Sequence, residues 1–235
     1  MAPIIRLESV TKKFPEGEGE FTALRNINLT FEEGEFSGIV GPSGSGKTTL
    51  LNIIGSLDKP TEGNAWVMDQ NIAHLSHKES AKLRNLHLGF IFQVYNLLPV
   101  YTVFENVEFA LLLQNVGQAE RKKLVMQALD WVGLASIANK KPTKLSGGEG
   151  QRVAIARAMV KSPKIVLADE PTANLDAANA HAIIQTMQQL NKELGTTFLF
   201  STHDEKVMQY LSRIVHLKGG EVDQDEYIQS ENISA

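Results

Sequence analysis

The chain has 235 residues, 43% of them apolar, a net charge of −4 and no cysteine. Such a length can bury a substantial core in one large domain, or in one domain carrying a lobe, and the lack of cysteine excludes a disulfide framework and a thiolate metal site. A pI near 5.9 gives no global field for nucleic acid or an anionic membrane, the first residues lack the basic and apolar regions of a signal peptide, and no stretch nears the ~18 apolar residues of a membrane span, so the sequence predicts a soluble, cytoplasmic protein.

Ile5, Leu7 and Val10 predict an edge strand, and the run from Pro15 to Glu20, rich in glutamate and glycine, predicts a surface turn. Residues 21–36 read as two further short strands, with Leu24, Ile27, Leu29 and Phe31 apolar and Glu32-Glu33-Gly34 marking a turn, so an antiparallel β layer is expected here. Phe14 is open to two readings, a core ring or a flat face that stacks on a base.

Residues 36–54 then give an apolar run, a glycine-rich turn, and Leu50, Leu51, Ile53 and Ile54 at helical spacing. Gly41, Gly46, Lys47 and Thr48 satisfy G-x-x-x-x-G-K-[ST] in the strand-loop-helix setting that the phosphate-binding loop requires. A triphosphate is a dense anion that backbone N–H groups must approach closely, which residues without Cβ such as Gly41, Gly44 and Gly46 permit. The helix start adds its partial positive charge, Lys47 reaches the β- and γ-phosphates, and the Thr48 hydroxyl is a ligand for Mg²⁺. Gly41, Pro42, Ser43, Gly44, Ser45, Gly46, Lys47, Thr48 and Thr49 are therefore the expected nucleotide-binding stretch.

Further on, residues 58–63 read as a loop, 64–68 as a strand, and 88–93 as a buried strand ending on Gln93, at the sheet edge where open α/β sheets bind ligands. Between 103 and 160 the pattern turns helical, with helices expected over 105–116, 119–132 and 148–160, the last burying Val153, Ile155, Ala156 and Met159. Before that last helix, Ser146-Gly147-Gly148 provides either a plain cap or a second N-terminal anion site.

Residues 164–171 form a continuous apolar strand ending in Asp169 and Glu170, one carboxylate suited to Mg²⁺ and the other to polarising a water. Asp176 is expected to cap a helix over 177–194 with Ala182, Ile183, Met187 and Leu190 inward. Residues 197–201 are a further buried strand that delivers His203, the third polar side chain after Gln93 and Glu170 at a strand end of one predicted sheet. Residues 221–235, with Glu221, Asp223, Asp225, Glu226 and Glu231 and no basic residue, read as a solvated, partly disordered end.

The phosphate loop, Gln93, Leu145-Ser146-Gly147-Gly148, the strand to Glu170, Asn174-Leu175-Asp176 and His203, in this order, make the chain resemble the ATP-binding-cassette (ABC) ATPases over nearly its whole length. Residues 89–93, 96–99, 105–107, 168–176 and 201–204 are similar to the lipoprotein-release and macrolide-exporter branch. The resemblance implies an α/β fold: a RecA-like phosphate-loop core of residues 1–93 and 161–235 with an N-terminal antiparallel β layer, and an inserted α-helical lobe of residues 94–160, together one domain.

It implies that Phe14 stacks on adenine, Gln93 senses Mg²⁺ and the attacking water, Glu170 is the catalytic base and His203 contacts the γ-phosphate. It also implies that Ser146, Gly147 and Gly148 bind the γ-phosphate held by the opposite subunit, with Asp176 near the subunit boundary. Phe14 stands where tyrosine is usual, and Gly150 where a polar helix former is common.

The expected activity is hydrolysis of ATP with Mg²⁺, held by Thr48, Gln93 and Asp169, by a homodimer closed around two ATP. That dimer would drive an integral membrane permease subunit from the cytoplasmic face of the inner membrane, with lipoproteins, peptides or drugs as cargo and no nucleic-acid partner. A regulatory cassette that transmits force in cell division, and a soluble cassette of nucleic-acid metabolism, remain alternatives.

Overall fold

The computed structural model describes residues 3–17 and 19–228. It divides into two compact units, one built from the residues up to 84 with those from 197 onward, the other from Asn85–Thr196.

In the first unit, β1 (Ile5–Glu16) and β2 (Gly19–Phe31) form a long hairpin, and β4 (Glu62–Val67) and β5 (Gln70–Asn71) complete an antiparallel sheet ordered β2-β1-β4-β5. Here β1 is not the edge strand that its short apolar pattern suggested. Leu7 and Val10 are three residues apart, which breaks the period of two; a register shift with Ser9 at φ 49° absorbs the extra residue and returns Val10 to the core. By the same device β2 runs through as one strand of 13 residues rather than ending early, with Asn26 at φ 47°. The expected surface turn shrinks accordingly, because β1 continues to Glu16.

The other strands of this unit are β3 (Phe36–Val40), β8 (Thr197–Thr202), β9 (Arg213–Lys218) and β10 (Glu221–Tyr227). β3 pairs in parallel with β8 and β9, and β10 closes antiparallel on β9. Phe36 of β3 packs its ring 5.6 Å from Phe198 and 4.7 Å from Phe200 of β8, and α1 (Lys47–Ile54) buries Leu50, Leu51, Ile53 and Ile54. A four-residue helix, α7 (Glu205–Met208), lies between β8 and β9.

β10 corrects the reading of the acidic tail, since residues 221–227 are a strand. Arg213, 4% exposed, donates to both carboxylate oxygens of Asp225 at 2.8 Å and to the Thr30 carbonyl at 2.6 Å. Its guanidinium also lies 4.9 Å from the Phe31 ring and 5.0 Å from that of Tyr227. The hydrogen bonds to Asp225 and the nearby acids hold the guanidinium in its charged form. A buried cation thus claims an acid that composition assigns to water. Glu231 lies outside the described residues.

The second unit holds the parallel pair β6 (Leu88–Phe92) and β7 (Ile165–Asp169) with α3 (Val103–Leu112), α4 (Gln118–Trp131), α5 (Gly147–Met159) and α6 (Ala177–Leu194). The three predicted helices of the 103–160 region are present, with ends shifted by one to four residues. α5 is buried along most of its length, so apolar residues lie all around it. On α6 the inward face is Ala180, Ile183, Ile184, Met187 and Leu190; Ala182, expected inward, is exposed. The sequence reading also passed over α2 (His77–His87), which has few apolar residues to mark it and within which the unit boundary falls.

Candidate nucleotide site

In the first unit the phosphate loop starts where β3 ends. A Cβ at Gly41 would collide with the Leu217 carbonyl, and one at Gly46 would lie 2.7 Å from the Ala23 carbonyl and 2.8 Å from Leu24, so these glycines let the loop lie against β2 and β9. Gly44 meets nothing within 4 Å, but its φ of 78° is a conformation that favours glycine.

The start of α1, like that of α4 on Gly117, has no side-chain cap. Its N-cap, Gly46, has no side chain, no side-chain cap bond forms, and no acidic residue occupies the first turn. Instead Lys47, 8% exposed, donates from Nζ to the carbonyls of Gly41 at 2.7 Å and Pro42 at 3.1 Å. Ser45 Oγ is buried without a hydrogen-bond partner. An uncapped helix start beside a buried ammonium is a fitting cradle for phosphate oxygens.

Phe14 is cross-strand from Phe21 on the hairpin, and both rings are exposed, by 37% and 49%. Lys12 Nζ lies 4.9 Å from the centre of the Phe14 ring. Phe14 is therefore not a core ring. His203 lies just past β8 in an exposed turn, where the Asp204 N–H donates to the Thr202 hydroxyl at 3.1 Å and the Asp204 carboxylate caps α7 through the Lys206 N–H.

The second unit carries Gln93, Ser146-Gly147-Gly148, Asp169 and Glu170. Ser146 is the N-cap of α5: its hydroxyl accepts from the Glu149 N–H at 3.2 Å, and Glu149 Oε2 accepts from the Ser146 N–H at 2.7 Å. This capping box, completed by Glu149, was legible in Ser-x-x-Glu but was not read. The bond from the Ser146 N–H holds the Glu149 carboxyl below the usual range. Within the box the Ser146 hydroxyl also favours the Glu149 carboxylate, and the N–H groups of Gly147 and Gly148 precede the first in-helix donor, Gly150. A Cβ at Gly148 would lie 2.5 Å from Asn179 Oδ1.

β7 delivers Asp169 at its end, and the next residue, Glu170, has φ 47°. A glutamate in the left-handed region costs about 1–2 kcal/mol, a strain typical of residues aimed for chemistry. Gln151 Nε2 donates to the Pro171 carbonyl at 2.6 Å from a fully buried position, which fixes the turn after Glu170. Asn174 Nδ2 donates to the Gln93 carbonyl at 3.0 Å, so the segment after β6 is tied to the loop after β7.

Sequence reasoning missed Tyr95. A Cβ at Gly150 would lie 2.7 Å and 2.9 Å from two Tyr95 ring carbons, which accounts for glycine at that helix position. Burial pushes the Tyr95 phenol above its ordinary pKa.

Among the described residues no cluster of three or more His, Asp or Glu could hold a metal by itself. Thr48 in the first unit and Gln93 and Asp169 in the second each carry the kind of oxygen donor that a hard cation takes.

The sequence model described as ABC transporter matches residues 24–173. The chain is 46% identical over 227 residues to the uncharacterised ABC transporter ATP-binding protein MJ0796 of Methanocaldococcus jannaschii, covering 95% of this chain and 97% of that protein. It is 44% identical over 221 residues to the lipoprotein-releasing system ATP-binding protein LolD of Francisella tularensis, covering 94% and 96%. Its fold matches the dimeric post-hydrolysis structure of the MJ0796 cassette bound to ADP and Pi with a TM-score of 0.89 and 44% identity, over 96% of this chain and 99% of that one. On this agreement of loop, signature turn, sequence and fold, the chain belongs to the ABC transporter family, as one of its ATPase cassettes.

Proposed function

We propose that this cassette hydrolyses ATP as a homodimer and powers a separate membrane permease from the cytoplasmic face of the inner membrane, within the lipoprotein-release branch. The observation that carries the reading is the start of α1: uncapped, free of acids in its first turn, and backed by buried Lys47. That arrangement sets the free first N–H groups of a helix beside a cation, which suits an anion.

Gly41 to Thr49 bind the phosphates and Phe14 stacks on the base. Thr48 and Asp169, with Gln93 as sensor, hold Mg²⁺, which when bound neutralises charge on the transferring phosphoryl group. Glu170 accepts a proton from the attacking water, and His203 donates to the γ-phosphate. Phosphoryl transfer needs little more than this positioning and charge. Ser146 and the N–H groups of Gly147 and Gly148 complete the site of a second chain, a reading supported by the dimeric state of the MJ0796 cassette. The nested division into a core of 1–93 and 161–235 and a lobe of 94–160 belongs to the same reading.

Support for the permease comes from the apolar side chains exposed between 94 and 113: Val94 at 65%, Val100 at 71%, Phe109 at 43% and Leu113 at 59%. Exposed apolar side chains at this density within one segment suit a partner surface. Lipoprotein or a similar membrane-extracted cargo follows from the likeness to LolD.

Glu170→Gln tests the chemistry. It keeps size and hydrogen-bonding reach but removes the proton acceptor, so phosphate release should fall by about 10²–10⁴-fold. Light scattering should show a dimer with ATP and Mg²⁺ and a single chain without nucleotide. Undiminished turnover would remove Glu170 from the role of base.

A further inference from the structure

We infer that Tyr95 is a positioning residue for the signature turn: its ring seats on the bare backbone of Gly150 and ties the segment that follows Gln93 to the first turn of α5. The inference rests on the reading that Ser146, Gly147 and Gly148 contact nucleotide.

Two contacts place the ring on that turn. Any Cβ at Gly150 would lie 2.7 Å and 2.9 Å from Tyr95 ring carbons, and one at Gly147 would lie 3.1 Å from the Tyr95 hydroxyl. The ring therefore spans the turn that carries the two glycine N–H groups and the Ser146 hydroxyl.

The backbone beneath the ring is held as well. Arg157, seven residues along α5 from Gly150 and on the same face, donates from Nη2 to the Tyr95 carbonyl at 2.8 Å and from Nη1 to the Asn96 carbonyl at 2.7 Å. Two residues before Tyr95, the Gln93 carbonyl accepts from Asn174 at 3.0 Å. With both ends pinned, the Tyr95 ring cannot give way by a backbone shift. A side chain added at Gly150 has to push the ring off the helix or the helix turn off the ring. Tyr95, Gly147 and Gly150 also line one cavity of about 390 Å³, so truncating the ring leaves the turn facing open space.

The packing makes a prediction of sign. Inside an unhindered helix Gly→Ala raises stability. Here Gly150→Ala should lower the melting temperature of the parent chain, yet raise it in a Tyr95→Ala background. The positioning role is read separately, in the Glu170→Gln chain with ATP and Mg²⁺. Tyr95→Ala should weaken its dimerisation by about tenfold, the usual scale for coupled neighbours; Tyr95→Phe should not. Affinity of the single chain for ATP should be the same in all of them, because the phosphate loop is untouched.

A rise in melting temperature for Gly150→Ala in the parent would overturn the packing. Coupled melting with unchanged dimer affinity would overturn the positioning role, and Tyr95→Phe losing as much as Tyr95→Ala would assign the effect to the hydroxyl instead of the ring. Failure of the Glu170→Gln chain itself to dimerise would sink the proposed function, a result distinct from each of these.

Discussion

Two helices of this chain begin at places suited to an anion, and they are built in opposite ways. α1 starts on a left-handed glycine with no cap bond and leans on Lys47, which donates to the carbonyls of Gly41 and Pro42. α5 starts on a complete capping box, which satisfies its first turn from within the helix. A helix that satisfies its own first turn keeps only its outermost N–H groups for a visitor, whereas an uncapped start offers every orphan donor. The contrast fits a phosphate loop that holds nucleotide on the single chain and a signature turn that engages it only when a second chain arrives.

Lys47→Ala is the strongest way to break that contrast. Charged hydrogen bonds are worth about 1.5–3 kcal/mol, so calorimetric titration should show ATP affinity down by roughly 10–150-fold. Unchanged affinity would mean that α1 does not begin at the phosphate site.

Ser146→Ala should act on α5 in the complementary manner. Loss of an N-cap costs about 0.5–2 kcal/mol, visible as a lower melting temperature, and the ATP-dependent dimer should weaken while single-chain ATP affinity stays at the parent's value. If that affinity falls as it does in Lys47→Ala, the two helix starts do not divide the work as described.

Acid sharpens the comparison with the smallest effect. The Glu149 carboxyl is held below its ordinary value first by the Ser146 N–H bond, then favoured further by the Ser146 hydroxyl and by Lys140 and Arg152. A depressed folded-state pKa contributes stability that is fully present above the ordinary value of 4.5 and is lost as the pH falls through the lower folded value. Glu149→Gln keeps a capping acceptor that does not titrate. The melting-temperature advantage of the parent over this variant should therefore be constant above pH 5 and shrink as the pH drops below 4.5. A gap that widens in acid would contradict the capping role of the carboxylate.

Much of the candidate site was legible because its chemistry is local. Gly41 to Thr48, Ser146 to Gly148 and Asp169-Glu170 each fall within a single turn or strand end, and the helices after Ser146 and Asp176 start where their caps predict. Glu149 was overlooked although its signal was equally local. Tyr95 carried no such signal, since an aromatic residue after a strand reads as ordinary packing until the helix it touches is folded.

The capped helix starts, the three helices between 103 and 160 and the buried strands follow from the sequence alone, because spacing, caps and apolar runs act over a few residues. Strand neighbours were left to the tertiary structure. β1 lies between β2 and β4 rather than at an edge, and an acidic tail becomes β10 because Arg213, buried on the adjacent strand, offers Asp225 a partner. Gly150 likewise acquires its reason only from Tyr95, some fifty residues earlier in the chain. Such pairings join residues distant in sequence, and whether a charge or a missing side chain is favourable depends on what the fold sets against it.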